Sequence, residues 1–207
     1  MADRPPNPSP LPVSESGGMR TALVALVVLV TALVGWRLLG PRFFAANSAV
    51  PPDTRLTELD LTPLTPTSPP LALDDLRGKV TLVNFWGTWC PPCVEEFPHL
   101  AAIEKQYRGN AGFHFVSISL GYGEPQDLEE VRAATRAFLA RGGYDLPVYA
   151  DPQGRTLDGL KSAIEIGGVP LTLLVDRDGT ITNAWIGFTT AAVDEMRLRL
   201  ATLLGPK

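Results

Sequence analysis

The sequence has only two cysteines, only two histidines and no cluster of lysine and arginine among its 207 residues. With no further cysteines there is no framework of structural disulfides, so cysteine content alone does not indicate the compartment. The formal net charge of −4, without a concentrated basic surface, argues against nucleic acid as a partner. The hydrophobic content of 45% is sufficient for one domain with a real core and some additional segments.

An uncharged run near the N-terminus, Thr21–Trp36, is too apolar for a soluble surface. If Arg37 extends its charged end toward lipid headgroups, the run reaches Leu39, and about 20 helical residues span roughly 30 Å of hydrocarbon. We therefore expect residues 19–40 to form a transmembrane anchor. A cleaved signal segment, processed near Ala45–Ala49, is the main alternative, and a buried core helix is another.

The remaining chain divides by composition. Residues 1–18 are rich in proline and serine and predict a disordered tail, whereas residues 41–52 predict a linker. Residues 53–207 form the predicted globular domain. At its start, the alternating segment Arg55–Leu61 and the segment Leu71–Leu73 each predict a short strand.

From Lys79 onward the pattern alternates between strands and helices, which predicts an α/β fold with a central sheet flanked by helices. The predicted strands are Val80–Trp86, Phe113–Ser119, Leu146–Ala150, Leu171–Val175 and Ile181–Gly187. Helical spacing of apolar residues predicts three helices: one with Phe97, Leu100, Ile103 and Tyr107 on its buried face and a kink at Pro98, one over Leu128–Arg141, and a last one with Val193, Met196, Leu200 and Leu203 buried.

Both cysteines lie in the motif Trp89-Cys90-Pro91-Pro92-Cys93, between the strand Val80–Trp86 and a predicted helix. Two thiols at this spacing can close a small disulfide, and the N-terminus of a helix favours a thiolate. The pattern therefore predicts thiol–disulfide chemistry. A zinc site is a poor alternative because it needs about four ligands and only His99 and His114 could join the cysteines. A copper site of softer ligands is a further alternative. The P-x-x-x-[TS]-x-x-C arrangement of a peroxide-reducing enzyme is absent before Cys90.

Five ordered motifs make the sequence resemble the thioredoxin superfamily, and within it the membrane-anchored thiol-disulfide oxidoreductases of the TlpA/ResA type. The resemblance extends from about Leu56 to Lys207. Its motifs are LRGKV at Leu76–Val80, NFWGTWCPPC at Asn84–Cys93, EFP at Glu96–Pro98, GVPLT at Gly168–Thr172 and VDRDG at Val175–Gly179.

The resemblance implies a thioredoxin-like domain held outside the cytoplasm, in the periplasm, by one N-terminal helix. It implies no cofactor besides a redox-active Cys90–Cys93 disulfide, and no metal. The expected partners are protein disulfides or dithiols, a membrane-embedded electron donor and the lipid bilayer. Typical clients of the family are apocytochrome c and the assembly proteins of copper sites.

We expect Cys90 to be the attacking thiolate and Cys93 to resolve the mixed disulfide, because Cys90 lies nearer the helix end. The family match implies that Glu96 is a buried carboxyl able to transfer protons during exchange, although a solvated acid of the first helical turn is the alternative. Cytoplasmic thioredoxins usually carry a buried Asp where this chain has Asn84, and Glu96 would replace it.

Five further residues are expected to contact substrate: Trp89, Pro91, Pro92, Val169 and Pro170. The resemblance implies a cis Val169–Pro170 bond beside the cysteines, and an ordinary trans turn is the alternative. Since Pro91 and Pro92 lack an N–H, they leave the Cys90 thiolate less stabilised, which predicts a reductant. An oxidant or isomerase, a copper-handling module and a non-catalytic interaction domain remain alternatives.

Overall fold

The structure is a computed structural model that describes residues 26, 30, 46–48, 50–123 and 126–205, with only the backbone at 46–48. The chain divides into two compact units, residues 1–41 and 42–207. In the first unit, Leu26 and Val30 are helical and exposed. None of the helices that the structure describes has the length and apolar composition to cross a bilayer. Apart from those two residues, the predicted tail and anchor lie outside the described residues.

The second unit contains a mixed sheet whose described strands have the order β1-β7-β6-β3-β4-β5-β2. Strands β3, β4 and β5 run parallel, β6 is antiparallel to β3, and β7 is antiparallel to β6. The strands are β1 (Ala46–Ser48), β2 (Thr62–Pro63), β3 (Val80–Trp86), β4 (Phe113–Ser119), β5 (Val148–Ala150), β6 (Leu171–Val175) and β7 (Ile181–Ile186).

Helices follow most of the sheet strands, as the α/β pattern predicts. They are α1 (Pro91–Tyr107), α2 (Leu128–Gly142), α3 (Arg155–Lys161) and α4 (Thr190–Leu204), with a 3₁₀ turn at Leu73–Leu76. Asp127 caps α2 by accepting the N–H groups of Glu129 and Glu130, and Gly143 ends it in the left-handed conformation. Helix α1 continues through Pro98.

The central strands are buried because helices or loops cover both faces of the sheet. All residues of β3 and β6 are buried. One apolar cluster includes the buried faces of α1 and α4, and a second lies on the opposite side of the sheet around Phe85, Val116 and Ile164. The observed bounds of β3, β4 and β6 equal the predicted ones, whereas β5 begins at Val148 rather than Leu146.

Two predicted strands at the start of the domain are wrong. Arg55 forms only an isolated bridge with Thr180, and the rest of Arg55–Leu61 is irregular. The leucines of this segment contact the second apolar cluster, with Leu56 buried and Leu59 and Leu61 partly buried. Their spacing therefore reflects burial and not pairing with a neighbouring strand. The segment Leu71–Leu73 leads into the 3₁₀ turn instead, where Asp75 accepts the N–H of Ala72 at 2.8 Å.

Three short elements have no counterpart in the prediction: β1, β2 and α3. Strand β1 lies within the range assigned to the linker, and it pairs with β7 at the edge of the sheet. Helix α3 has only seven residues. The N–H groups of Thr156 and Leu157, in its first turn, donate to the carboxylate of the buried Asp151, which lies before the helix. Elements this short contain too few residues to show a period in the sequence.

Candidate active site

The two cysteines lie at the junction of β3 and α1, where the sequence predicts them. Strand β3 ends at Trp86, and Cys90 is the N-cap residue of α1, so Cys93 falls in the first helical turn. Their Sγ atoms form a disulfide, with Cα atoms 5.2 Å apart. The helix start therefore holds both sulfur atoms in one turn, which is the arrangement that reversible dithiol–disulfide exchange requires.

The environment of the disulfide is closed and poor in hydrogen-bond donors. Cys90 is 4% exposed and Cys93 is 1% exposed, so Cys90 is the more accessible of the two residues by a small margin. The N–H of Cys93 lies 3.3 Å from Cys90 Sγ. The intervening residues, Pro91 and Pro92, have no N–H to offer. Both prolines are exposed on the surface over the disulfide.

The peptide bond between Val169 and Pro170 is cis, which confirms the predicted isomer. The carbonyl oxygen of Val169 lies 3.6 Å from Cys90 Sγ. In the disulfide this sulfur carries no hydrogen, so the approach is a contact, whereas a Cys90 thiol could donate to the same oxygen. The loop between α3 and β6 therefore lies directly against the sulfur expected to attack.

Glu96 is a buried carboxyl, with 1% of its surface exposed. Its Oε2 accepts from Asn84 Nδ2 at 3.1 Å, and its Oε1 accepts from the Thr172 hydroxyl at 3.5 Å. Burial raises the pKa of Glu96 to about 8, against the smaller opposing effect of these two hydrogen bonds. A carboxyl with this pKa can take up or release a proton near neutral pH. The solvated alternative for Glu96 is therefore wrong.

Asn84 and Thr172 hold this carboxyl because their strands pair in register. Asn84 on β3 lies opposite Thr172 on β6, and Asn84 Nδ2 is also 3.0 Å from the Thr172 hydroxyl. Asn84 Oδ1 is buried and has no hydrogen-bond partner among the described residues. No role was predicted for Thr172, although a polar residue inside the apolar strand β6 is a signal visible in the sequence.

Trp89 stands at the surface beside the disulfide and is 44% exposed. Its Nε1 donates to the carbonyl of Leu120 at 3.0 Å, and its ring lies edge-to-face with Tyr122 at 5.3 Å. By contrast, Trp86 is buried and donates to Ser117 Oγ at 2.9 Å, so it belongs to the core as expected.

Neither histidine joins the cysteines. His99 stacks on Phe188 with ring centroids 5.5 Å apart. His114 lies on β4, where burial and the nearby charge of Lys79 lower its pKa. Within the described parts of the chain, no group of three or more His, Cys, Asp or Glu side chains has the spacing of a metal site.

A disulfide at a helix start, beside a cis-proline and a buried carboxyl on a central mixed sheet, defines a thioredoxin-like dithiol–disulfide oxidoreductase. The sequence model of the Redoxin family matches residues 45–197. The thiol-disulfide oxidoreductase ResA of Geobacillus kaustophilus is 30% identical over 83% of this chain and 88% of its own length. The chain therefore belongs to the Redoxin family, as a thiol-disulfide oxidoreductase of the ResA type.

Other known proteins agree with this assignment. ResA of Bacillus subtilis is 31% identical over 59% of this chain, and the match spans 62% of that protein's length. A candidate DsbE thiol:disulfide interchange protein from Chlorobium tepidum has a similar fold, with a TM-score of 0.55 and 25% identity. That likeness covers 77% of this chain and 99% of the Chlorobium protein.

Proposed function

We propose that the protein reduces disulfides of other proteins outside the cytoplasm, while anchored in the membrane by residues 19–40. The observation that supports the direction is the sulfur environment of Cys90. Among the described residues, only the N–H of Cys93 is directed at this sulfur, because Pro92, at the other helical position that could donate to it, has no N–H. A poorly stabilised thiolate disfavours the reduced form, so the reduced protein gives up its electrons readily.

The reaction has two exchange steps. First, the Cys90 thiolate attacks one sulfur of the client disulfide, forms a mixed disulfide and releases the other client sulfur as a thiolate. Second, Cys93 loses its proton and attacks Cys90 Sγ, which releases the second client thiolate and closes the Cys90–Cys93 disulfide. Two electrons pass from the Cys90–Cys93 dithiol to the client, and protons from the medium convert its thiolates to thiols.

Glu96 is the group proposed to accept the proton of Cys93. Its carboxylate form accepts the proton before the second step, and its pKa of about 8 allows this near neutral pH. We expect the rate of the second step to rise with pH through about 8 and the Glu96→Gln variant to lose this rise. Stopped-flow measurement of mixed-disulfide resolution between pH 5 and 10 tests the assignment, and an unchanged profile in the variant would reject it.

The location and the partners are part of the same proposal. The apolar run Thr21–Trp36 supports an anchor, and a reductant outside the cytoplasm needs electrons from a membrane-embedded donor to reduce its disulfide again. Clients such as apocytochrome c or the assembly proteins of metal sites fit a reductant of this kind. Their cysteines must be reduced before they bind haem or metal.

The test is the reduction potential of the Cys90–Cys93 couple in the full-length protein in detergent. The full chain is needed because a fragment beginning at Val50 would lack β1. The protein is equilibrated in defined thiol buffers, trapped with an alkylating reagent and separated by mass. A potential near or below about −250 mV supports a reductant, and a value between about −180 and −120 mV indicates an oxidant or isomerase.

A further inference from the structure

A small surface groove lies beside the disulfide, between Trp89 and the first turns of α2. Its volume is about 180 Å³, which suits one long side chain. Trp89 and Tyr122 form its aromatic wall, Leu120 and Val131 also line it, and Asp127 and Glu130 contribute carboxylates. We call it the aromatic groove. Because Trp89 directly precedes Cys90 in the chain, the groove adjoins the segment that carries the reactive sulfur.

The aromatic wall is held in place by its neighbours. A Cβ atom at Gly87 would come within 2.5 Å of Trp89 Nε1, so only glycine lets the indole lie this close to the backbone. The hydrogen bond from the indole to the Leu120 carbonyl fixes its orientation. Beside it, the N–H of Gly121 donates to Gln126 Oε1 at 2.7 Å, which ties together the described ends of the loop carrying Tyr122.

Within the described residues, the carboxylates of the groove are not neutralised by nearby cations. The described part of the chain provides no ion pair for Asp127 or Glu130. Two of the three arginines of the same helix are directed elsewhere, since Arg132 donates to the Pro63 carbonyl and Arg136 to the Leu64 carbonyl. The third, Arg141, lies in the last turn, at the opposite end of the helix. The groove therefore combines negative charge with exposed aromatic rings, which are the two features that attract an organic cation.

Helix stabilisation alone explains why acidic residues occur at the start of α2, but not why two of them line a groove beside an exposed aromatic ring. Acidic residues at the start of α2 interact favourably with the helix dipole, and Glu129 has this position too. Glu129, however, pairs with Arg132 and does not line the groove. Tyr122 is 84% exposed, which is unfavourable for a large ring, and its ring packs edge-to-face on Trp89. A ligand between this ring and the carboxylates accounts for both observations.

We propose that the aromatic groove binds an arginine side chain of the client protein, close in space to the client cysteine that Cys90 attacks. A guanidinium is planar, so it stacks on an aromatic ring while its N–H groups donate to a carboxylate such as that of Glu130. This inference rests on the proposed reduction of protein disulfides and adds the chemistry by which clients are selected.

The test compares peptides that differ at one position near the disulfide. Each peptide carries one cysteine joined to glutathione, with arginine, glutamine or glutamate placed two residues before or after that cysteine. Reduced full-length protein in detergent is used in excess over the peptide. The second-order rate constant of this single turnover, which equals kcat/KM for the half-reaction, is measured at low and high salt. In at least one placement, we expect kcat/KM to be about tenfold higher for arginine than for glutamine, with a smaller ratio at high salt.

Variants locate the preference within the molecule. Glu130→Gln and Tyr122→Leu should each lower the ratio of the arginine to the glutamine peptide toward one. Glu129→Gln is the matched control, because it removes the same charge from the same helical turn outside the groove, and it should keep the wild-type ratio. If Glu129→Gln and Glu130→Gln lower this ratio equally, the preference for arginine arises from the general negative charge at the start of the helix. That result would overturn the proposal that the groove binds arginine.

The remaining outcomes separate this inference from the proposed function. Equal kcat/KM values for all three residues in both placements overturn the groove as a client site while reduction itself stands. If neither the peptides nor free oxidised glutathione are reduced, the proposed function fails and the client inference fails with it.

Discussion

The N–H of Cys93 lies 3.3 Å from Cys90 Sγ and is directed at it. Cys90 is the N-cap of α1, so Pro91, Pro92 and Cys93 occupy the first three helical positions. The side chain of an N-cap residue accepts from the second or third of these positions. Since the second is a proline, one of the two donors that could stabilise a Cys90 thiolate is missing.

Replacing Pro92 should therefore make the couple more oxidising. The Pro92→Ala variant restores the second-position N–H, and one hydrogen bond to a thiolate contributes about 1.5 kcal/mol, or about 30 mV in reduction potential. Pro91→Ala is the matched control, because an N–H at the first position does not reach the cap side chain. Thiol-buffer equilibration measures both, and an equal shift in the two variants would contradict the argument.

The stability of the protein should depend on the ionisation of Glu96. Because burial raises its pKa from 4.5 to about 8, the folded state holds a proton between these pH values that the unfolded state has lost. The free energy of unfolding should therefore fall as pH rises from about 4.5 to 8. The full shift corresponds to about 5 kcal/mol as an upper bound.

Glu96→Gln cannot titrate, so its stability should lack this contribution and exceed that of the wild type at pH 8. Urea unfolding of both oxidised proteins between pH 4.5 and 9 gives the comparison. Parallel curves for the two proteins over this range would show that the carboxyl is not protonated in the folded state.

A second carboxyl in place of Asn84 should conflict with Glu96. Asn84→Asp removes the N–H that bonds to Glu96 Oε2 and places two acids side by side in a buried site. Like charges disfavour ionisation of both, so the variant should lose stability increasingly as pH rises above about 5. The double variant Asn84→Asp/Glu96→Gln should recover much of the loss, because one carboxyl then accepts from an amide. Urea unfolding of the four proteins forms the double-mutant cycle, and strict additivity would contradict a direct interaction.

The helix that carries the cysteines is attached to the sheet through Phe97. This ring is 1% exposed and contacts Trp86, Phe138 and Tyr144, with centroid distances of 4.4, 5.0 and 5.0 Å. Phe97→Ala should lower the free energy of unfolding by about 3 to 5 kcal/mol through lost burial and a residual cavity. Denaturant titration measures this loss. A cost below about 1 kcal/mol would mean that the aromatic cluster does not hold α1.

Strands with strong local patterns were predictable to the residue. Strands β3 and β4 are long apolar runs buried on both faces, so their limits coincide with the limits of the hydrophobic pattern. Residues 55–61 show the opposite case, since Leu56 is buried without a strand partner. A periodic pattern reports which residues are buried, whereas strand formation also requires a neighbour with free backbone groups, which local sequence does not specify.

The chemistry of the site could be read from local sequence, because Cys90 and Cys93 have the spacing of a small disulfide and lie at a strand-to-helix junction. Contacts between distant parts of the chain then adjust that chemistry. Pairing of β3 with β6 brings Asn84 and Thr172 to Glu96, and the loop after β4 brings Tyr122 to Trp89. These contacts join residues far apart in the chain. Burial and the pKa of Glu96 depend on all the neighbours that folding assembles, so no local pattern could contain them.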